Sequence, residues 1–140
     1  MSEPSTKISL SARLIKLLFD RDLERKMRLI EHTSRCIRSG EIHEIVTTDH
    51  RHLKPGDVVH HVGFLGFAEF QIAGVVDRGD QVLLDGQLIG CVTGFDDCHF
   101  PNHYNVVIEV PELASAREAH AQLGSELCFE SSVGTPMDLT

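Results

Sequence analysis

The sequence has no basic stripe, no long apolar run, no paired cysteines and no glycine-rich phosphate loop, and each absence removes a class of function. Thirteen Lys and Arg stand against 21 Asp and Glu, giving a net charge of −8 and an isoelectric point near 5.5. Proteins that grip phosphate backbones carry clustered cationic side chains, so nucleic acid is disfavoured as a partner. The one Arg-rich piece, Arg21 to Arg28, is interleaved with Asp20, Asp22 and Glu24 and has the pattern of a solvated face. The apolar run Leu14 to Phe19 is short and broken by Lys16, so no membrane span is expected. The N-terminus, Met1-Ser2-Glu3-Pro4, lacks the basic segment that opens a secretory signal. Cys36, Cys91, Cys98 and Cys128 include no CxxC pair, which without an export signal favours free thiols and a cytoplasmic location. Without a glycine-rich nucleotide loop, phosphoryl transfer and dinucleotide redox chemistry are disfavoured.

What is abundant is histidine. Nine in 140 residues is roughly three times an ordinary share. Five fall between His43 and His61, and two more fall in Gly94-Phe95-Asp96-Asp97-Cys98-His99-Phe100-Pro101-Asn102-His103-Tyr104-Asn105. Strand-like apolar runs flank that segment, so its polar groups belong to a loop fixed between rigid elements, where chemistry concentrates.

The length is that of a single domain, and its spacing of short apolar runs and turns predicts a mainly β fold, a small closed or partly open β-barrel. Leu10, Leu14, Leu17 and Leu18 recur at helical spacing and predict an N-terminal helix, with a homodimer contact as the sharper use of that stripe. Residues 112–123 suit a short C-terminal helix stopped at Gly124. Residues 26–38 and 41–48 suit a hairpin about Ser39-Gly40, and Asp85-Gly86 is the strongest hairpin signal in the chain. Residues 1–8 and 131–140 are expected to be disordered, leaving 9–130 as the folded domain.

Three chemistries fit the polar residues. The most economical is proton transfer by His99 or His103 assisted by an aspartate such as Asp96, because histidine titrates near the working pH. Cys98 beside His99 and Asp96 or Asp97 offers a nucleophile in a second version. The third is a divalent transition metal such as zinc or iron held by His50, His52, His99 and His103, although no HExxH or CxxC signature is present. The default is a reaction with no cofactor. The turn Asp77-Arg78-Gly79-Asp80 is expected at the same end as the histidine loop, which adds Asp77 to the catalytic set and Arg78 and Asp80 to the substrate-binding set. Glu69, Asn102, Tyr104 and Asn105 complete the substrate-binding candidates, Glu69 as a carboxylate partnered by His61 or Arg78.

Val62-Gly63-Phe64-Leu65-Gly66-Phe67-Ala68-Glu69, Asp77-Arg78-Gly79-Asp80 and the 94–105 segment together resemble a small bacterial family of unknown function associated with specialised-metabolite gene neighbourhoods. The resemblance covers roughly residues 27–110. It implies a small-molecule role and carries over no catalytic residue. Pro55-Gly56-Asp57-Val58-Val59 is similar to turns of small RNA-binding barrels, against which the acidic balance counts. The expected function is an enzyme acting on a polar metabolite by cyclisation, dehydration or lyase-type elimination. A metal-dependent protein and a non-catalytic ligand-binding module are the alternatives.

Overall fold

The computed structural model describes residues 6–132. These form twelve strands and no helix. The first five are β1 (Leu10–Leu17), β2 (Arg21–Asp22), β3 (Met27–Arg28), β4 (Ser34–Ile37) and β5 (Ile42–Thr48). Then come β6 (Val58–Val59), β7 (Val62–Phe70), β8 (Gly74–Asp77), β9 (Gln81–Leu84), β10 (Gln87–Asp96), β11 (Asn105–Glu109) and β12 (Glu126–Glu130). The fold is mainly β, as its alternating apolar runs predict.

Seven strands close into a ring in the order β1-β12-β9-β10-β11-β5-β7, with β7 returning to pair with β1. Every pairing in the ring is antiparallel except β11–β5. The inward side chains form the main core, with Leu10, Leu14, Ile45, Phe95 and Ile108 buried and Phe70 stacked on Phe129 at 5.4 Å. Full burial of one such side chain contributes roughly 1.5–3 kcal/mol. A second cluster lies on the outer face of β5 and β11, where Val46 and Val107 are covered by Met27, Leu29, Val59 and Val62. Covered on both sides, β11 reads as the unbroken run Val106-Val107-Ile108, the pattern of a strand with no solvent face.

Residues 10–17 are a strand, which corrects the expected N-terminal helix. Leu10 and Leu14 are four apart, and four is also an even number. Ala12 shares their buried face while Arg13 and Ile15 point out, so period two wins over 3.6. Leu17 falls out of phase after a register shift between Leu14 and Lys16. The leucine stripe that suggested a dimer contact is therefore largely core. The expected C-terminal helix is also absent. Ser115 and Glu118 begin one properly, the Glu118 carboxylate accepting from the Ser115 N–H and hydroxyl. The turn then stops, because the Ala116 N–H points to Leu18 and Phe64 carbonyls and His120 takes a left-handed conformation, φ +58°.

β4 pairs with β8 and not with β5, so the hairpin expected about Ser39-Gly40 does not form. The Asp85-Gly86 hairpin does, with both residues at positive φ. Lys7, expected to fray, binds Asp77 at 2.8 Å, Asp80 at 2.5 Å and the Val75 carbonyl. The expected tail falls mainly on 133–140, outside the described residues.

Candidate functional site

The parallel pairing of β5 with β11 builds the site. It puts the start of β5 beside the start of β11, with Glu44 opposite Asn105, and Asn105 is in turn opposite Asp96 at the end of β10. Facing residues on paired strands share a side of the sheet, so Asp96, Asn105 and Glu44 form one row on the outer face. All three are buried. The loop between β10 and β11 folds back over the row. The Asn102 and His103 N–H groups both donate to the His99 carbonyl, at 2.9 and 3.4 Å, so one turn brings the two imidazoles together across Pro101. Their rings lie 5.0 Å apart and 27° from parallel. Phe67, opposite Glu44 on β7, packs edge-on against His103 at 5.0 Å.

His103 is buried and held at both nitrogens. Its Nε2 lies 3.2 Å from Glu44 Oε1 and its Nδ1 lies 2.8 Å from the Asn102 amide nitrogen. Because an amide nitrogen only donates, Nδ1 is the acceptor and Nε2 carries the proton toward Glu44. A carboxylate that fixes a tautomer in this way leaves the opposite nitrogen with a lone pair.

A second pair stands on the inner side of β5. His43 Nε2 is 2.6 Å from Glu41 Oε1, while its Nδ1 accepts the Tyr104 N–H at 3.1 Å. Burial pushes the His43 pKa down, opposed by the Glu41 hydrogen bond and charge and aided by Arg35 and His103. Burial pulls Glu41 up, but the Arg38 N–H, His43 and Arg35 outweigh it and its pKa is lowered, so it stays ionised. Arg35 reaches Glu41 at 3.2 Å and lies over the Tyr104 ring at 4.2 Å. Arg35, Glu41, His43, Asn102, His103 and Tyr104 line one cavity of about 300 Å³. A larger cavity, about 440 Å³, is walled chiefly by apolar groups such as Leu88, Ile89 and Val110 and contains no histidine, so it offers less chemistry.

Among the sequence candidates, Asp96, Cys98, His99, Asn102, His103, Tyr104 and Asn105 are brought together. Asp96 accepts from Asn105 Nδ2 at 3.0 Å and from the Cys98 N–H. Cys98 is exposed. Its thiol is pushed up to about 11 by partial burial and by the Asp96 carboxylate, the reverse of what a nucleophile needs. The rest go elsewhere. β10 continues past the Asp80 contact at Val92 to Asp96, which carries the histidine loop beyond the Asp77–Asp80 turn. Asp77 and Asp80 are tied to Lys7, and Arg78 donates to the Thr93 and Leu53 carbonyls. Glu69 pairs with Arg13 at 3.5 Å, not with His61 or Arg78. His50 lies six residues along from Glu44, roughly 20 Å by strand rise. Its Nε2 accepts from the His60 and His61 N–H groups, and His52 lines a different cavity, with Leu53, Arg78 and Thr93. The four-histidine metal set is therefore split.

Sequence reasoning missed Arg35, Glu41, His43, Glu44 and Phe67. Glu44 carried a usable signal, a carboxylate preceding the apolar run Ile45-Val46, but nothing local shows that residue 44 meets residue 103.

Taken together, the chain is a mainly β protein whose ring of strands carries, at one end, a small cavity with two imidazole–carboxylate pairs. It belongs to the family of unknown function DUF6917, whose model matches residues 4–130, a wider span than the three motifs suggest. Comparison with curated proteins and with solved structures gives no match.

Proposed function

We propose that the protein is an enzyme that moves protons on a polar small molecule bound in the cavity at the rim of its strand ring, which we read as a small barrel. The observation that carries this is His103, buried, oriented at Nε2 by the buried Glu44 and presenting Nδ1 beside the cavity under the exposed Asn102 amide. Displacement of that amide by a substrate frees Nδ1 as a base that takes a proton, reversibly, from the carbon beside the carbonyl or imine. The imidazolium that forms is stabilised by Glu44 at hydrogen-bond distance, and it returns the proton to a leaving heteroatom, so the site ends with its starting charge. Arg35 and the ionised Glu41, which line the same cavity, supply polar anchors. A carbonyl or imine compound undergoing cyclisation, dehydration or lyase-type elimination suits this arrangement, because such steps carry a proton between two atoms of one substrate.

The test is ligand-observed NMR with a library of polar carbonyl metabolites, followed by turnover assays on each compound that binds. Wild type should bind and convert at least one, and His103→Gln should bind it without conversion. Binding without conversion by wild type across all ligands found would identify a non-catalytic module instead.

A further inference from the structure

We propose that Glu44, His99 and His103 form a binding site for one divalent first-row transition metal ion, of the zinc or iron(II) type. One ligand atom from each lies within 4.8 Å of the others. Glu44 and His103 are already at 3.2 Å, about the separation of two ligands on one ion with bonds near 2.0–2.1 Å. Only His99 has to close in, and it is the exposed member, carried on a turn. Two imidazoles and one carboxylate with open positions is a donor set that such ions take, and it is unsuited to calcium or magnesium.

Two further observations point to a cation here. Glu44 and Asp96 are both buried on the same outer row, and among the described residues neither forms an ion pair with a lysine or arginine. Buried carboxylates ordinarily have a cation beside them. Between them stands Asn105, 1% exposed, whose Nδ2 binds Asp96 while its Oδ1 is buried with no hydrogen-bond partner. An acceptor left open beside a carboxylate is the place for a water held on an ion, and Asp96–Asn105 then acts as the support behind the ligands. Asn102 fits the same scheme. In the metal-free chain its nitrogen donates to His103 Nδ1; with an ion bound, a half-turn of the amide would let its oxygen accept Nδ1–H and so free Nε2 as the ligand atom.

This inference deepens the proton-transfer reading of the site and rests on the loop being the reactive element. It does not rest on His103 being the base, a role that passes to ion-bound water when Nε2 is a ligand. Untagged protein, stripped with a chelator and dialysed, is titrated with Zn²⁺ and with Co²⁺ by calorimetry, and the Co²⁺ visible spectrum is recorded. Wild type should take up one ion per chain with a low-symmetry Co²⁺ spectrum. His99→Ala, an exposed change that leaves the fold intact, should lower affinity more than about 100-fold, beyond the loss from a supporting residue. His61→Ala, beside the separate His50–His60–His61 group, should leave the site unchanged. Uptake below about a tenth of an ion per chain, equal affinity in His99→Ala, or loss in His61→Ala instead would overturn the proposal. If uptake fails but His103→Gln still ends turnover of metal-free protein, the base reading stands and only the metal site falls.

Discussion

Acidification should weaken this protein through His43, and the size of the effect follows from the site. His43 is 4% exposed, and burial outweighs the Glu41 hydrogen bond and charge, so the folded chain binds the His43 proton more weakly than the unfolded chain does. A histidine with a depressed folded pKa stays neutral in the fold while the unfolded state charges, so stability falls as pH drops below about 6.5. The slope is at most about 1.4 kcal/mol per pH unit for one proton, and between pH 7.5 and 5.5 the total cannot exceed about 1.4 kcal/mol. For a chain of this length, about 3–4 °C of Tm accompanies each kcal/mol, so the limit is about 5 °C. Glu41, also lowered, adds its loss only below about pH 4.5 and does not enter this window. The assay compares wild type with His43→Gln, which keeps an amide toward Glu41 but does not titrate, by differential scanning calorimetry at both pH values. The variant should lose less Tm on acidification, by a few degrees. Equal losses in the two proteins would refute the claim that His43 is held neutral by burial.

Two other changes bear on the fold and on the loop. Gly66 has φ +142°, and a Cβ there would sit 1.9 Å from the Lys16 carbonyl oxygen across the β1–β7 pairing that closes the ring, so Gly66→Ala should cost at least about 3 kcal/mol. Thermal denaturation checks this, with a Tm within about 3 °C of wild type contradicting the close approach. Cys98, although exposed, should alkylate at pH 8 at least about tenfold more slowly than a free cysteine, because a thiol near 11 is almost wholly protonated there. Peptide mass spectrometry after timed iodoacetamide exposure reads the rate, and Cys98 reacting first among the four cysteines would count against the assigned Asp96 contact.

The 94–105 loop was legible in the sequence because its polar groups are dense and apolar strands bound it. Asp85-Gly86 was legible because a two-residue turn with both φ positive leaves few residue choices. Neither signal reaches across the chain. Glu44 meets His103 only through the parallel β5–β11 pairing, a contact between residues 59 apart that no local pattern encodes. The leucines at 10 and 14 satisfy helix and strand alike, and the decision came from Ala12 and Arg13, which the helical reading left unused. Ser115 and Glu118 make a genuine helix start, overridden when β1 and β7 neighbours took the Ala116 N–H. Asp77 and Asp80 looked like site residues because their pairing partner, Lys7, lies 70 or more positions away.

The central claim, that His103 backed by Glu44 is a proton-transfer group, is tested most directly by deuterium exchange. Each metabolite that binds the cavity is incubated in D₂O with metal-free wild type, His103→Gln and Cys98→Ser, and deuterium at carbon in recovered substrate is read by NMR. Wild type and Cys98→Ser should incorporate deuterium at similar rates, and His103→Gln should lose at least about a hundredfold, the contribution of a positioned acid–base group. Incorporation at the wild-type rate by a folded His103→Gln variant would contradict the account.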